Sequence, residues 1–185
     1  MKKISITALS MLFFYGAIGE PKDSLDIMIG QMIQIGITDF GDASVRNELR
    51  NLIKTGKVGG IILFEKNLKK ENTKAALKKM IEELQKEADI PLFIAIDEEG
   101  GYVNRLKPKY GFPKTVSAAY LGAMDDLDST KFYSAQTAQT LNSLGFNVNY
   151  APSVDVAINP DNPVIVKNER SYSKEHKTVI RHAAA

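Results

Sequence analysis

The sequence predicts an α/β fold built on a parallel sheet, and three observations predict it. Two apolar runs, "VGGIILF" at 58–64 and "PLFIAI" at 91–96, are continuous instead of alternating, as expected of strands covered on both faces. Between them, Leu77, Met80, Ile81, Leu84 and Ala88 recur at spacings of three and four across 72–88, which is the period of an amphipathic helix. The same strand and helix order repeats along the chain, and that alternation belongs to parallel sheets with helical crossovers.

Each element follows in order. Ser24 or Asp23 caps a short helix over "LDIMIGQM", and "IQIGI" at 33–37 is a brief strand closed by Thr38 and Asp39. Residues 44–55 place Val45, Leu49, Leu52 and Ile53 on one helical face, with Gly56 where a C-terminal cap belongs. The strand at 58–64, the helix at 72–88 and the strand at 91–96 come next. A helix over 126–144 ends at Gly145, and "FNVNYAPSVDV" supplies a fourth strand that runs into a loop. A last helix starts near Ser173 or Lys174 and is still running at Ala185. About four βα units result. Such an order fits an open doubly wound sheet as well as a barrel. The glycine fingerprint of dinucleotide binding is missing, because the glycines of "VGGIILF" open a strand instead of joining a strand to a helix.

Composition narrows the function classes. With 44% apolar and 25% charged residues in 185, the chain can bury one core and is not a disordered segment. Its 24 basic and 22 acidic side chains nearly cancel, and the lysines alternate with glutamates, so no nucleic-acid surface is expected. The cluster Lys66, Lys69, Lys70, Lys74, Lys78 and Lys79 reads as a solvated helix face. Residues 1–19 have a secretory pattern: Lys2 and Lys3, a short apolar stretch, then small Ala17 and Gly19. This stretch is shorter than a membrane span requires. A signal peptide over 1–19, a mature domain over 20–185, and a periplasmic or secreted location without a membrane anchor are therefore expected. Cysteine is absent, which removes disulfides, thiol chemistry and a lipid-modified cysteine.

The chemistry concentrates in "AIDEEGG" at 95–101, where Asp97, Glu98 and Glu99 follow a buried strand and precede two glycines. Ligands of parallel α/β folds sit at the C-terminal ends of strands. Asp97 closes the third strand there and Asp155 closes the fourth. Gly100 and Gly101 allow a sharp turn and close approach to a ligand. Arg105 returns eight residues after Asp97, to meet a carboxylate or a hydroxyl-bearing substrate. Arg170 lies in "KNERSYS", in the long loop before the last helix. Adjacent carboxylates repel unless something cationic compensates. A divalent-metal site would suit carboxylate oxygens, yet consecutive side chains diverge too far to share one ion, and no metal or other cofactor is expected. His176 and His182 fall on the last helix, away from any strand end, and are not expected to be catalytic.

"GGIILFEKN", "IAIDEEGGYVNRL", "LGFNVNYAPSVDV" and "ERSYS" occur in an order and at intervals that resemble family 3 glycoside hydrolases, above all the bacterial β-N-acetylhexosaminidase branch, from residue 24 onward. The resemblance implies a partial (β/α)8 TIM barrel, its N-terminal half, since a complete one takes about 250 residues. It implies that Asp97, Arg105 and Arg170 bind sugar hydroxyls, that Glu99, Gly100, Gly101 and Asp155 support them, and that a carbohydrate is the partner. Glu98 stands where Gln is usual and Tyr102 where Arg is common. The nucleophile and acid/base of that family fall downstream of Ala185. The expected activity is therefore retaining hydrolysis of terminal β-linked sugars by a longer parent, with this chain inactive alone. The alternative is a non-catalytic exported sugar-binding fragment that self-associates through open sheet edges.

Overall fold

The computed structural model describes residues 24–185, so the expected signal segment over 1–19 lies outside the described residues. Helix α1 (Ser24–Gln31) leads into strand β1 (Gln34–Gly36), and helix α2 (Ala43–Lys54) into β2 (Gly60–Leu63). Helix α3 (Thr73–Lys86) precedes β3 (Phe93–Ile96), α4 (Ala118–Met124) and α5 (Leu127–Leu144) precede β4 (Val148–Asn149), and α6 (His176–Ala183) follows. The four strands pair in parallel in the order β1, β2, β3, β4. That order has no reversal point of the kind at which doubly wound sheets bind their ligands. It is the sequence of neighbours found along one side of a barrel.

Period-two alternation sorts the strand residues. Ile61, Ile94 and Ile96 are 0%, 0% and 1% exposed and pack with Leu49 and Ile53 of α2, Leu77, Ile81 and Leu84 of α3, and Leu141 and Leu144 of α5. Each such side chain contributes about 1.5 to 3 kcal/mol by leaving water. The opposite parity is mixed: Ala95 is fully buried at 0% and Gly60 is buried, while Phe93 is 56% exposed and Ile62 and Val148 are half-buried. The expectation that every strand is covered on both faces thus holds for the middle of β2 and β3, and is corrected at Phe93 and at the outer strands β1 and β4, whose residues are half-buried or exposed. Only one face carries helices among the described residues, and the outer strands β1 and β4 have no neighbour on one side. Across the open face, Tyr150 donates its hydroxyl to Gln34 Oε1 at 2.8 Å, which ties the chain after β4 to β1.

The fourth strand is shorter than its sequence suggests, because side-chain amides do much of its pairing. Asn147 Oδ1 accepts from the Ile94 N–H at 2.7 Å while its Nδ2 donates to the Leu92 carbonyl at 2.9 Å. Asn149 repeats the pattern on Glu98, accepting from its N–H at 3.0 Å and donating to its carbonyl at 3.1 Å. Helix α5 starts where Asp126 accepts from the N–H groups of Asp128 and Ser129. The seven residues of α4, capped by Ser117, have too few turns to show a period and were not anticipated. Helix α6 begins at His176, later than expected, and closes at Ala183 before the chain ends.

Candidate active site

The site is assembled where β3 stops. Because Ile94 and Ile96 face the helices, strand parity sends Glu98 to that same side and Asp97 to the open side. Beyond Glu98 the chain makes a tight loop: the N–H groups of Glu99 and Gly100 both donate to the Val103 carbonyl, at 3.0 and 3.1 Å. Gly100 and Gly101 take φ of 92° and 58°. A Cβ on Gly100 would lie 2.3 Å from the Val116 carbonyl oxygen, so both the backbone angle and the close approach demand glycine there. Leu106, 2% exposed in the core, anchors the returning arm of the loop.

Three neighbouring carboxylates find three separate partners. Asp97 Oδ2 accepts from Arg105 Nη2 at 3.2 Å, each side chain 26% exposed. Glu98, 3% exposed, turns inward, and its Oε2 accepts from the backbone N–H groups of Arg105 and Leu106 at 2.8 and 3.0 Å. Glu99 receives Arg170 as a two-point contact, Nε to Oε2 at 3.0 Å and Nη2 to Oε1 at 2.8 Å. Burial pushes the Glu98 carboxyl above its ordinary value, against the opposing pull of the Leu106 and Arg105 N–H groups and of nearby Arg105 and Lys107. The Glu99 bond pushes the Arg170 guanidinium up, and Asp155 and Asp97 act on it in the same direction. Asp97, Glu99 and Asp155 are therefore all within electrostatic reach of Arg170, and the sequence-predicted groups lie in one region.

Arg170 is aimed by its loop. Glu169, at φ 54°, accepts from Ser117 Oγ at 2.6 Å and from the Ala119 N–H, and Ser171 Oγ donates to the Asp155 carbonyl at 2.6 Å. Asp155 does not close a strand, since β4 ends at Asn149; it sits exposed in the loop, where its Oδ2 accepts from Ser153 Oγ. The reason is that the Asn149 side chain already satisfies the backbone of Glu98 and β4 stops there. Both histidines lie off the strand ends. His176 is exposed, and His182 is buried at 2%, between Thr130 Oγ1 at 2.8 Å and Asp125 Oδ1 at 3.2 Å, stacked on Tyr172.

Two contributors were not found from sequence. Asn149 was invisible as a ladder residue, although the two amides of "NVN" at 147–149 share one strand face. Glu65 was also missed: it accepts from Lys107 Nζ, Lys109 Nζ and Tyr110 Oη, joining the loop after β2 to the loop after β3. Among the described residues no group of three His, Cys, Asp or Glu side chains is arranged to hold a metal ion. The site presents one carboxylate, Asp97, and two planar guanidinium groups, Arg105 and Arg170, each partly exposed and able to hydrogen-bond a polar ligand. All three carboxylates of 97–99 are already engaged.

Comparison with known proteins gives one consistent result. Residues 24–185 match the family model described as the glycosyl hydrolase family 3 N terminal domain. Beta-hexosaminidase A of Pseudoalteromonas piscicida is 42% identical over 139 residues, covering 72% of this chain and 22% of that protein. Beta-hexosaminidase LpqI of Mycobacterium tuberculosis is 27% identical over 171 residues, 91% of this chain and 39% of its own length. Among solved structures, a family 3 beta-N-acetylglucosaminidase from Paenibacillus sp. str. FPU-7 superposes with a TM-score of 0.77 at 36% identity, over 86% of this chain and 29% of that one. The beta-N-acetylhexosaminidase of Beutenbergia cavernae gives 0.64 at 30% identity, over 86% and 48%. The chain thus spans between about a fifth and two fifths of the length of these two curated relatives.

Proposed function

Since this chain belongs to the glycosyl hydrolase family 3 N-terminal domain family, we propose that it forms the sugar-holding side of a retaining β-N-acetylhexosaminidase or β-glucosidase-like enzyme. The substrate class is terminal β-linked sugar, N-acetylglucosamine foremost, from cell-wall or other oligosaccharides. The observation that carries this reading is the pairing of Asp97 with Arg105 and of Glu99 with Arg170 at the end of β3. In it Asp97 accepts from sugar hydroxyls, while Arg105 and Arg170 donate to ring substituents from two directions, and Glu99 fixes the angle of Arg170.

A retaining reaction needs a nucleophile at the anomeric carbon and a proton donor to the leaving oxygen, on carboxyl groups about 5 to 5.5 Å apart in most families. Asp97 and Glu99 are bound to arginines, and Glu98 points into the protein. None of the three is placed for either role. On this reading the chain holds sugar through Asp97, Arg105 and Arg170, and the reacting groups are other than the carboxylates of 97–99. The test is hydrolysis of a chromogenic N-acetyl-β-glucosaminide by a longer parent protein, by its Asp97→Ala variant and by the 185-residue chain. Turnover by the parent alone, lost on substitution, supports the reading; turnover by the isolated chain, or an unaffected variant, contradicts it.

A second reading, a self-associating sugar-binding fragment, is favoured by the outer sides of β1 and β4, which pair with no strand among the described residues. Light scattering separates the two: a defined dimer speaks for edge pairing and a monomer against it. Export to the periplasm or beyond is proposed from residues 1–19, and mass analysis of the protein recovered from that compartment checks whether the segment is removed.

A further inference from the structure

Glu98 is the carboxylate that the proposed sugar contacts leave without a task. It is 3% exposed, and its own backbone is bolted to β4 by both atoms of the Asn149 amide. From that fixed point Oε2 reaches back over the loop and takes the N–H groups of Arg105 and Leu106. The bond closes a short ring of chain whose last member carries the guanidinium that meets Asp97. Its other oxygen, Oε1, is buried with no hydrogen-bond partner from the protein, and Glu98 lines a small cavity together with Leu106, Phe112, Thr115, Gln136, Thr137 and Thr140. A buried acceptor left bare is costly when it carries charge. It is the natural place for a proton.

We propose that Glu98 is a positioning residue for Arg105 and that saccharide affinity at this site follows the ionisation of Glu98. The proposal rests on the sugar-binding reading above. When Glu98 is ionised, the two N–H bonds are charge-assisted and hold residues 105 and 106 tightly. When Oε1 is protonated, Oε2 still accepts, more weakly, and Arg105 gains freedom. The charged groups acting on Glu98 are Arg105 and Lys107 from the loop, with Asp97 and Glu99 as its chain neighbours. From α5 the facing groups Gln136, Thr137 and Thr140 are neutral, as is Asn149 from β4. Burial raises the proton affinity of Glu98 above its ordinary value, against the pull of the two N–H groups and of Arg105 and Lys107.

The experiment uses the full chain and two readouts. The backbone amide resonances of Arg105 and Leu106 are followed by NMR between about pH 4 and pH 8, and N-acetylglucosamine affinity is measured across the same range. Both amides are expected to shift together in one transition that Glu98→Gln abolishes. Affinity is expected to rise about fivefold through that transition, and Glu98→Gln is expected to bind at the low-pH level with a flat profile. Amide transitions that are absent, or that persist in Glu98→Gln, overturn the clamp. An amide transition with unchanged affinity overturns its role in binding. Failure of the wild-type chain to bind sugar at any pH, with the amide transition intact, overturns the affinity claim through the sugar-site reading and leaves the clamp standing.

Discussion

Arg170 meets Glu99 through two nitrogens, at 3.0 and 2.8 Å, across 71 residues of chain. The contact joins the loop after β3 to the loop before α6, and both side chains are largely shielded, at 24% and 10% exposure.

Arg170→Ala leaves the Glu99 carboxylate partly buried without its partner. A loss of about 2 kcal/mol in urea unfolding is expected. Arg170→Lys keeps the charge without the two-point geometry and should recover less than half of that loss. Equal stability for Arg170→Ala and wild type would show that the pair is not holding the two loops together.

Glu98→Gln should raise stability near neutral pH, because it removes a buried charge. The folded state holds the Glu98 carboxyl above its ordinary value because of burial. Its contribution is therefore fully present below the unfolded value and is lost as pH rises through the folded one. The gain from Gln accordingly shrinks on acidification. Thermal unfolding of both proteins at neutral and mildly acid pH measures it, and a gain that grows toward acid pH would contradict the sign.

Glu65 carries the opposite sign. Hydrogen bonds from Lys107 first and Lys109 next hold its carboxyl down to about 2. The stability it lends is present above the unfolded value of 4.5 and is lost as pH falls toward 2. Glu65→Gln should move the acid-unfolding midpoint to higher pH. An unchanged midpoint would mean that the link between the loops after β2 and β3 is slack.

How far these contacts could be read in advance follows from their range. The strands around Ile61 and Ile94 were legible as continuous apolar runs and the helix through Leu77, Ile81 and Leu84 by its period, because both signals are local. The pairing of Glu99 with Arg170 was not, since nothing local in "KNERSYS" specifies a partner so distant. Arg105 and Asp97, eight residues apart, were open to mutual pairing or to a substrate, and strand geometry chose the pairing. Glu98 could have been found: Ile94, Ile96 and Glu98 share one parity, so the middle carboxylate had to turn toward the helices. Helix α4 and the short β4 stayed hidden because seven helical and two strand residues carry too little pattern, and the Asn147 and Asn149 amides replaced backbone pairing that sequence would have assigned to a longer strand.

Thr130→Val should cost about 1 to 2 kcal/mol by stripping the buried His182 Nδ1 of its hydrogen-bond partner. The loss should localise to α6, as faster amide exchange over residues 176–183 than elsewhere. Uniform loosening of the whole chain, with no preference for α6, would argue that His182 does not hold that helix.

Titration of the full chain with N-acetylglucosamine, followed by the side-chain resonances of Arg105 and Arg170, tests the proposed sugar site most directly. Both guanidinium groups should shift together on binding, and Asp97→Ala should weaken affinity by about tenfold or more while the fold stays intact. Undiminished binding by Asp97→Ala, or perturbations that bypass both arginines, would contradict the assignment.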